Sequence, residues 1–295
     1  MRWRALIAAL LTGGSLVVPA SAAHADDGRV LAFADARIAE SSGLVDLGSS
    51  MVTANDSGNP SVLFAVDPAT GKTLGVTDFH TATVDVEALA PAGGSAVWVG
   101  DIGDNEGERK SISVYKVKVR TSGRGDARPA GYRLAYPRGT HDAESMFLDR
   151  TGRLYVITKS FLGGTVYRAP LPLSTRRVNR LQPAGRVVEF ATDAAMLPDG
   201  KHVVVRGPGR ASVYTFPQFQ RVGGFALPSQ RQGEGISVGP AGRIRLSSEG
   251  VHSVVRQVAL PAALAARLRP PAPTPTPSPS AAPSPTPSAS ASPSP

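Results

Sequence analysis

The sequence predicts an all-β fold: a single five-bladed β-propeller whose last blade is completed by a strand from the N-terminus. Three observations carry this expectation. A long repeat runs through the body, each repeat begins with apolar residues at alternate positions, and a spare apolar stretch stands in front of the first repeat. The five segments open on Glu40, Glu87, Glu144, Thr192 and Glu234, at intervals of roughly 50 residues. Met146 with Leu148, Ala194 with Met196, and Ile236 with Val238 show the period of two that gives a strand one buried face. A glycine follows about eight residues after each opening and marks the turn out of the strand.

The remaining elements follow in order. A second apolar strand is expected over 50–54, 96–100, 154–158, 202–206 and 243–246. A third follows over 62–66, 113–117, 165–168, 212–216 and 253–256, in related spellings such as Ser113-Val114-Tyr115 and Ser212-Val213-Tyr214. Fourth strands fit 73–79, 132–136, 186–190 and 221–227. The last segment has none, because a short helix-like stretch over 262–269 follows its third strand. Residues 29–34 supply the missing strand, pairing with 253–256 and closing the ring without exposed edges. A two-sheet sandwich is the rival fold, and it would need no such wrapped repeat.

The ends of the chain read differently. Arg2 and Arg4, an apolar stretch over 5–18 and the small residues up to Ala23-His24-Ala25 have the pattern of a secretory leader over 1–25. That stretch is short and broken by Gly13 and Gly14, so no membrane span is expected in the mature protein. The propeller is assigned to 26–269. Residues 270–295 contain only Pro, Ala, Ser and Thr, have no apolar surface to bury, and read as a disordered tail, either a wall-spanning spacer or a free solubilising segment. A secreted or wall-associated monomer is the resulting expectation. With no cysteine, a disulfide framework, a thiolate metal site and a cysteine nucleophile are excluded, and 41% hydrophobic residues exclude a wholly disordered chain. The formal charge of +9 is scattered over loops without interleaved aromatics, which suits anionic surfaces and argues against a nucleic-acid site.

In a propeller the first strand of each blade lines the central channel. Glu40, Glu87, Glu144, Thr192 and Glu234 should therefore form one ring, with Asp85, Asp142 and Asp193 close by. Converging carboxylates repel, so they either share protons, bind a cation, or serve only as strand-end acceptors. Calcium, which tolerates irregular oxygen geometry, is the cation expected in the ring. The ends of the second strands should form a ligand-binding rim of Asp56, Asp101, Asp104, Asn105, Lys159, Arg206 and Glu249; the competing reading is a rim of turn-forming residues. Gly235-Ile236-Ser237-Val238-Gly239 matches a nucleophile-elbow pattern, but it lies inside a repeated strand where that motif has no helix to open. His141, beside Asp142 and Glu144, reads as a turn residue.

Asp142-Ala143-Glu144, the 101–105 run, Thr158-Lys159, Thr192-Asp193 with Pro198-Asp199-Gly200, and Gln232-Gly233-Glu234 resemble a group of secreted bacterial propellers often labelled phytase-like or esterase-like. The resemblance spans nearly all of 36–260. The opening residues also resemble those of five-bladed calcium-activated nucleotidases, which implies a calcium held by Glu40 or Ser41, Glu87, Glu144, Thr192 and Glu234. The chain departs from that family at Asn55-Asp56-Ser57-Gly58 and at Thr158-Lys159, positions where the nucleotidases carry an Asp-Asp-Arg-Thr-Gly run and an arginine pair. Two functions follow as expectations: a module binding an extracellular anionic or carbohydrate ligand at a calcium-bearing mouth, or a calcium-dependent phosphoesterase.

Overall fold

The computed structural model describes residues 28–269. The expected leader at 1–25 and the tail at 270–295 lie outside the described residues. The body is the five-bladed propeller, each blade an antiparallel sheet read outward from an inner strand. The first blade is β2 (Ser41–Asp46), β3 (Met51–Asn55), β4 (Val62–Val66) and β5 (Thr73–Asp78). The second is β6 (Val86–Pro91), β7 (Ala96–Asp101), β8 (Ile112–Lys118) and β10 (Gly131–Ala135). The third is β11 (Ala143–Leu148), β12 (Leu154–Thr158), β13 (Thr165–Arg168) and β15 (Gln182–Arg186). The fourth is β16 (Asp193–Met196), β17 (His202–Arg206), β18 (Arg210–Thr215) and β19 (Arg221–Ala226). The fifth is β20 (Gly233–Val238), β21 (Ile244–Ser248) and β22 (Val254–Val258), completed by β1 (Arg29–Ala32).

The wrapped closure is present. β1 lies antiparallel to β22, with Leu31 opposite Val255 and Ala32 opposite Val254, and Phe33 extends the pairing by donating its N–H to Ser253 O at 3.1 Å. Five apolar clusters fill the wedges between neighbouring blades. In the closing wedge Leu31, Phe33 and Val255 of the last blade pack on Leu44, Met51 and Phe64 of the first. Gly71, at φ +73°, lets the first blade's outer turn meet this strand: a Cβ there would sit 1.9 Å from Ala32 O.

Three features differ from the sequence reading. The third blade's fourth strand is Gln182–Arg186, not 186–190. Its register is set by Thr165 opposite Arg186, and beyond that Val187 donates to Gly164 O and the chain turns inward toward the next blade. Two fifth strands were also missed. β9 (Gly123–Asp126) joins β5 in parallel, and β14 (Asn179–Arg180) joins β10 in parallel, so each insertion crosses to the edge of the preceding blade. The Arg124-Gly125-Asp126 stretch is thus part of an edge strand, and His80 holds it through Nε2, 2.9 Å from Asp126 Oδ1. α1 (Ala262–Leu268) buries Leu264 against the wedge between the last two blades. Among the described residues no helix is long and apolar enough to cross a membrane.

Deleting residues 26–35 should open the ring. The loss of the Leu31 and Phe33 side chains and of one ladder should lower unfolding free energy by at least about 3 kcal/mol. A denaturant midpoint unchanged by this truncation would show that closure does not hold the fold.

Candidate functional site

The inner strands converge on the axis. Leu44, Leu89, Phe147, Ala194 and Ile236, one from each blade, line a mostly apolar cavity of about 60 Å³ in mid-channel. The carboxylates that the repeat predicts lie at the end where the inner strands begin.

There the structure gathers Asp56, Asp85 and Glu87, whose carboxylate oxygens lie within 4.8 Å of one another. Among the described residues this is the one such group of three acids or histidines. Asp85 and Glu87 are two apart across the start of β6, so they face the same side. Asp56 arrives from the first blade, in the turn after β3. Ser42 Oγ donates to Glu87 Oε2 at 2.9 Å, and Ser57 N donates to Asp56 Oδ1. Asn59 Nδ2 donates to Glu40 Oε2 at 2.8 Å and to Asp56 O at 3.0 Å, which brings Glu40 beside the group. Gly103 packs flat against it: a Cβ there would sit 2.2 Å from Asp85 Oδ2 and 2.9 Å from Glu87 Cγ.

Burial dominates the electrostatics. It pushes Asp85 up to about 7, with the Asp56 and Asp142 charges adding to the shift. Glu87 rises well above the carboxylate range, first through burial and then through Asp56 and Asp85. Asp56 is raised as well, through burial and the nearby Glu40. Across the mouth Glu234 is raised to about 7 by burial, against the opposing pull of Lys159 and Arg206. Lys159 Nζ pairs with Glu144 Oε1, and its charge also lowers the pKa of Asp56 and Glu87. Asp85 Oδ1 and Glu144 Oε2 are buried without a hydrogen-bond partner.

The ring expected from the repeat is only partly assembled as a cation site. Glu87 belongs to the trio and Glu40 stands next to it. Glu144 is drawn to Lys159, and Thr192 Oγ1 donates to Glu234 O at 3.1 Å. Asp56 was read as a rim residue and Asp85 as a neighbour, whereas both sit in the centre of the acidic group.

The expected rim divides in the same way. Asp101 is buried, and its Oδ1 accepts from Val84 N at 3.2 Å and Asp85 N at 2.9 Å while pairing with Arg109 at 2.8 Å. Asp104 is buried too, and its carboxylate accepts from Glu108 N and Arg109 N. These two acids build the turn; Asn105 is exposed beyond them. Arg206 is 0% exposed and donates to Gly235 O, to Ser247 O and to Gln230 Oε1, so it fastens the fourth blade to the fifth and offers nothing to a rim ligand. Glu249 is half-buried, and its N–H donates to Gln232 O. His141 lies between Tyr136 and Tyr167, with Nε2 3.3 Å from Tyr167 Oη. One contributor went unread in the sequence: Phe190, over whose ring Lys159 Nζ sits at 5.3 Å.

No protein-family model matches the chain, and no curated protein matches it. Solved structures do. A gluconolactonase from Xanthomonas campestris is 13% identical, over 72% of this chain and 70% of its own, with a TM-score of 0.44. The PQQ-bound aldose sugar dehydrogenase from Streptomyces coelicolor is 10% identical over 78% of this chain and 95% of its own, TM-score 0.44. A streptogramin B lyase is 10% identical over 75% and 94%, TM-score 0.44. No chemistry is carried over from any of them.

The raised carboxylates fix a pH dependence. The folded protein retains protons on Asp85 and Glu234 up to about pH 7, whereas the unfolded chain loses them near 3.8 and 4.5. Their contribution to stability is thus intact below pH 4, falls as pH rises toward 7, and levels off above. Asp35, held at about 2 chiefly by its hydrogen bond from Arg37, acts in the opposite sense, but only below pH 4. The melting temperature of metal-free protein should fall between about pH 4 and pH 7, and Glu234→Gln should flatten the slope. A slope identical in the variant would mean that Glu234 does not keep its proton.

Proposed function

We propose that the channel mouth binds a divalent cation of the calcium type on Asp56, Asp85 and Glu87, and through it an anionic extracellular ligand. The observation that carries this reading is the trio of carboxylates within 4.8 Å, one of whose oxygens, on Asp85, is buried and unbonded. Three like charges, two of them buried, are held together either by protons or by a cation, and a hard cation takes carboxylate oxygens without demanding a regular cage. Lys159 supplies a positive group beside the cation, where a phosphate or carboxylate bridging the two would be neutralised from both sides. A secreted location, as the leader-like N-terminus implies, suits calcium, because that cation is abundant outside cells.

A second reading is a calcium-dependent phosphoesterase. Glu234 favours it: a carboxylate at about 7, within the field of Lys159, is matched to proton transfer near neutral pH. In that case the cation would polarise the phosphoryl oxygen, Lys159 would hold a second oxygen, and Glu234 would take the proton from an attacking water.

Calorimetry of the full chain with calcium, against a chelator control, tests the common part of both readings. Calcium should bind at millimolar concentration or below and raise the melting temperature, more at pH 8 than at pH 5 because protons compete for the same oxygens. Glu87→Gln should weaken binding by about tenfold or more while leaving the metal-free fold at least as stable. Lys159→Met should tighten calcium binding, since it removes a repelling charge, and weaken binding of inorganic phosphate to the calcium-loaded protein. An absence of heat at millimolar calcium, with a melting temperature indifferent to chelator, rules the cation site out.

A further inference from the structure

The hairpin between β12 and β13 places an apolar tip beside this mouth. Phe161 and Leu162 are 91% and 89% exposed, although both are large hydrophobic residues. The tip is nonetheless rigidly built. Lys159 N donates to Asp142 O at 2.9 Å, Leu162 N to Ser160 Oγ at 3.2 Å, Gly163 N to Ser160 O at 3.0 Å and Val187 N to Gly164 O at 2.9 Å. At Gly163, φ +88°, a Cβ would sit 2.3 Å from Val187 O, so the turn fits only glycine there. Backbone bonds, not burial of its side chains, hold the tip in place. Phe161 stacks on Phe190 with centroids 4.6 Å apart and planes 25° from parallel, and Lys159 Nζ stands 5.3 Å from the Phe190 centroid. A flat apolar platform and the mouth's cation-side lysine are therefore neighbours.

We infer that the ligand of this mouth is a small organic anion carrying a ring, whose ring face lies on the Phe161–Phe190 stack while its charged group reaches Lys159. This rests on the anion-binding reading above and narrows it. The charge beside the stack suits an anion, because Lys159, paired with Glu144, and Arg186, whose Nη2 donates to Leu162 O at 3.4 Å, both stand next to it, and the bound cation would lie beyond. The platform is complementary to a ring, because an exposed flat face gains most from a flat partner, be it an aromatic ring or the C–H face of a sugar. A rigid tip presents that face without an ordering cost on binding.

Calorimetry of the full, calcium-loaded chain with phenyl phosphate, glucose 6-phosphate and glycerol 2-phosphate is the test. At least one ring-bearing probe should bind about tenfold or more tightly than glycerol 2-phosphate, and which of the two does so tells an aryl ring from a sugar ring. Phe161→Ala should abolish that advantage while leaving calcium affinity and melting temperature unchanged, since the side chain is exposed and carries no ligand atom. Equal affinities, no binding of any probe to calcium-loaded protein, or a ring preference that survives Phe161→Ala would overturn the inference and leave the cation site standing. If calcium itself fails to bind, the cation reading falls, and a Phe161-dependent ring preference measured without calcium would still support the platform.

Discussion

Closure of the ring by β1 is the contact on which the rest depends. With Phe33 and Leu31 filling the wedge between the last blade and the first, five blades must share one axis. Their inner strands then approach so closely that Leu44, Leu89, Phe147 and Ile236 narrow the channel to a mostly apolar cavity of about 60 Å³. Polar side chains at the strand starts have no room inward, so they collect at one end. The acidic group is a consequence of this geometry. Its members come from the first two blades, whose shared apolar wedge sets the distance from Asp56 to Asp85 and Glu87.

Within the mouth, one repeat position does two opposite jobs. Asn55 and Asp101 end the second strands of the first and second blades, and each accepts two N–H groups of the segment leading into the neighbouring inner strand. Asn55 Oδ1 takes those of Ala39 and Glu40, and Asp101 Oδ1 those of Val84 and Asp85. Arg206 stands at the same position in the fourth blade and donates to carbonyls. Buried backbone groups must be satisfied, and an acceptor or a donor is chosen according to which group faces the strand end. These residues bond to backbone groups at the strand ends, whereas Asp56, Glu87, Glu234 and Lys159 stand in one another's electrostatic fields.

This division explains what the sequence could and could not show. Period-two alternation and the recurring opening residue reveal blades, because a strand with one buried face must alternate and a ring must repeat. The front strand is legible because the last repeat lacks its fourth. β9 and β14 are not, since a short polar edge strand such as Gly123–Asp126 has no buried face to write into the sequence. Val187 and Val188 imitate a strand but cross to the fourth blade, where Val187 packs in the wedge, Val188 N donates to Tyr214 Oη and Tyr214 Oη donates to Glu189. At the site, Glu87 was visible as a repeat position. Asp85 is its neighbour in the sequence, whereas Asp56 becomes its partner only through the distance between blades, which one-dimensional spacing does not contain. Arg206 departs from the rim reading for the same reason: it ends a second strand as Thr158 does, one place before the position of Lys159, and its side chain is enclosed where Lys159 keeps a partly open face.

The contrast between Lys159 and Arg206 also bears on why the mouth stays chargeable at all. Arg206 lies near Asp193 and Glu234; its Nη1 and Nη2 donate to Gly235 O, Ser247 O and Gln230 while its Nε is buried without a partner, so it offsets their charge without bonding to either carboxylate. Lys159 is committed to Glu144, and its field reaches Asp56 and Glu87 without neutralising them. Each positive group therefore has its own work, and the Asp56–Asp85–Glu87 side is left with more carboxylate than cation. Burial first, and then the charges of Asp56 and Asp142, push Asp85 up to about 7. A structural acid would be expected to carry its partners with it, as Asp101 and Asp193 do. Asp56, Asp85 and Glu87 instead meet one another in a largely buried place, and burial and neighbouring carboxylate charges both raise their pKa values.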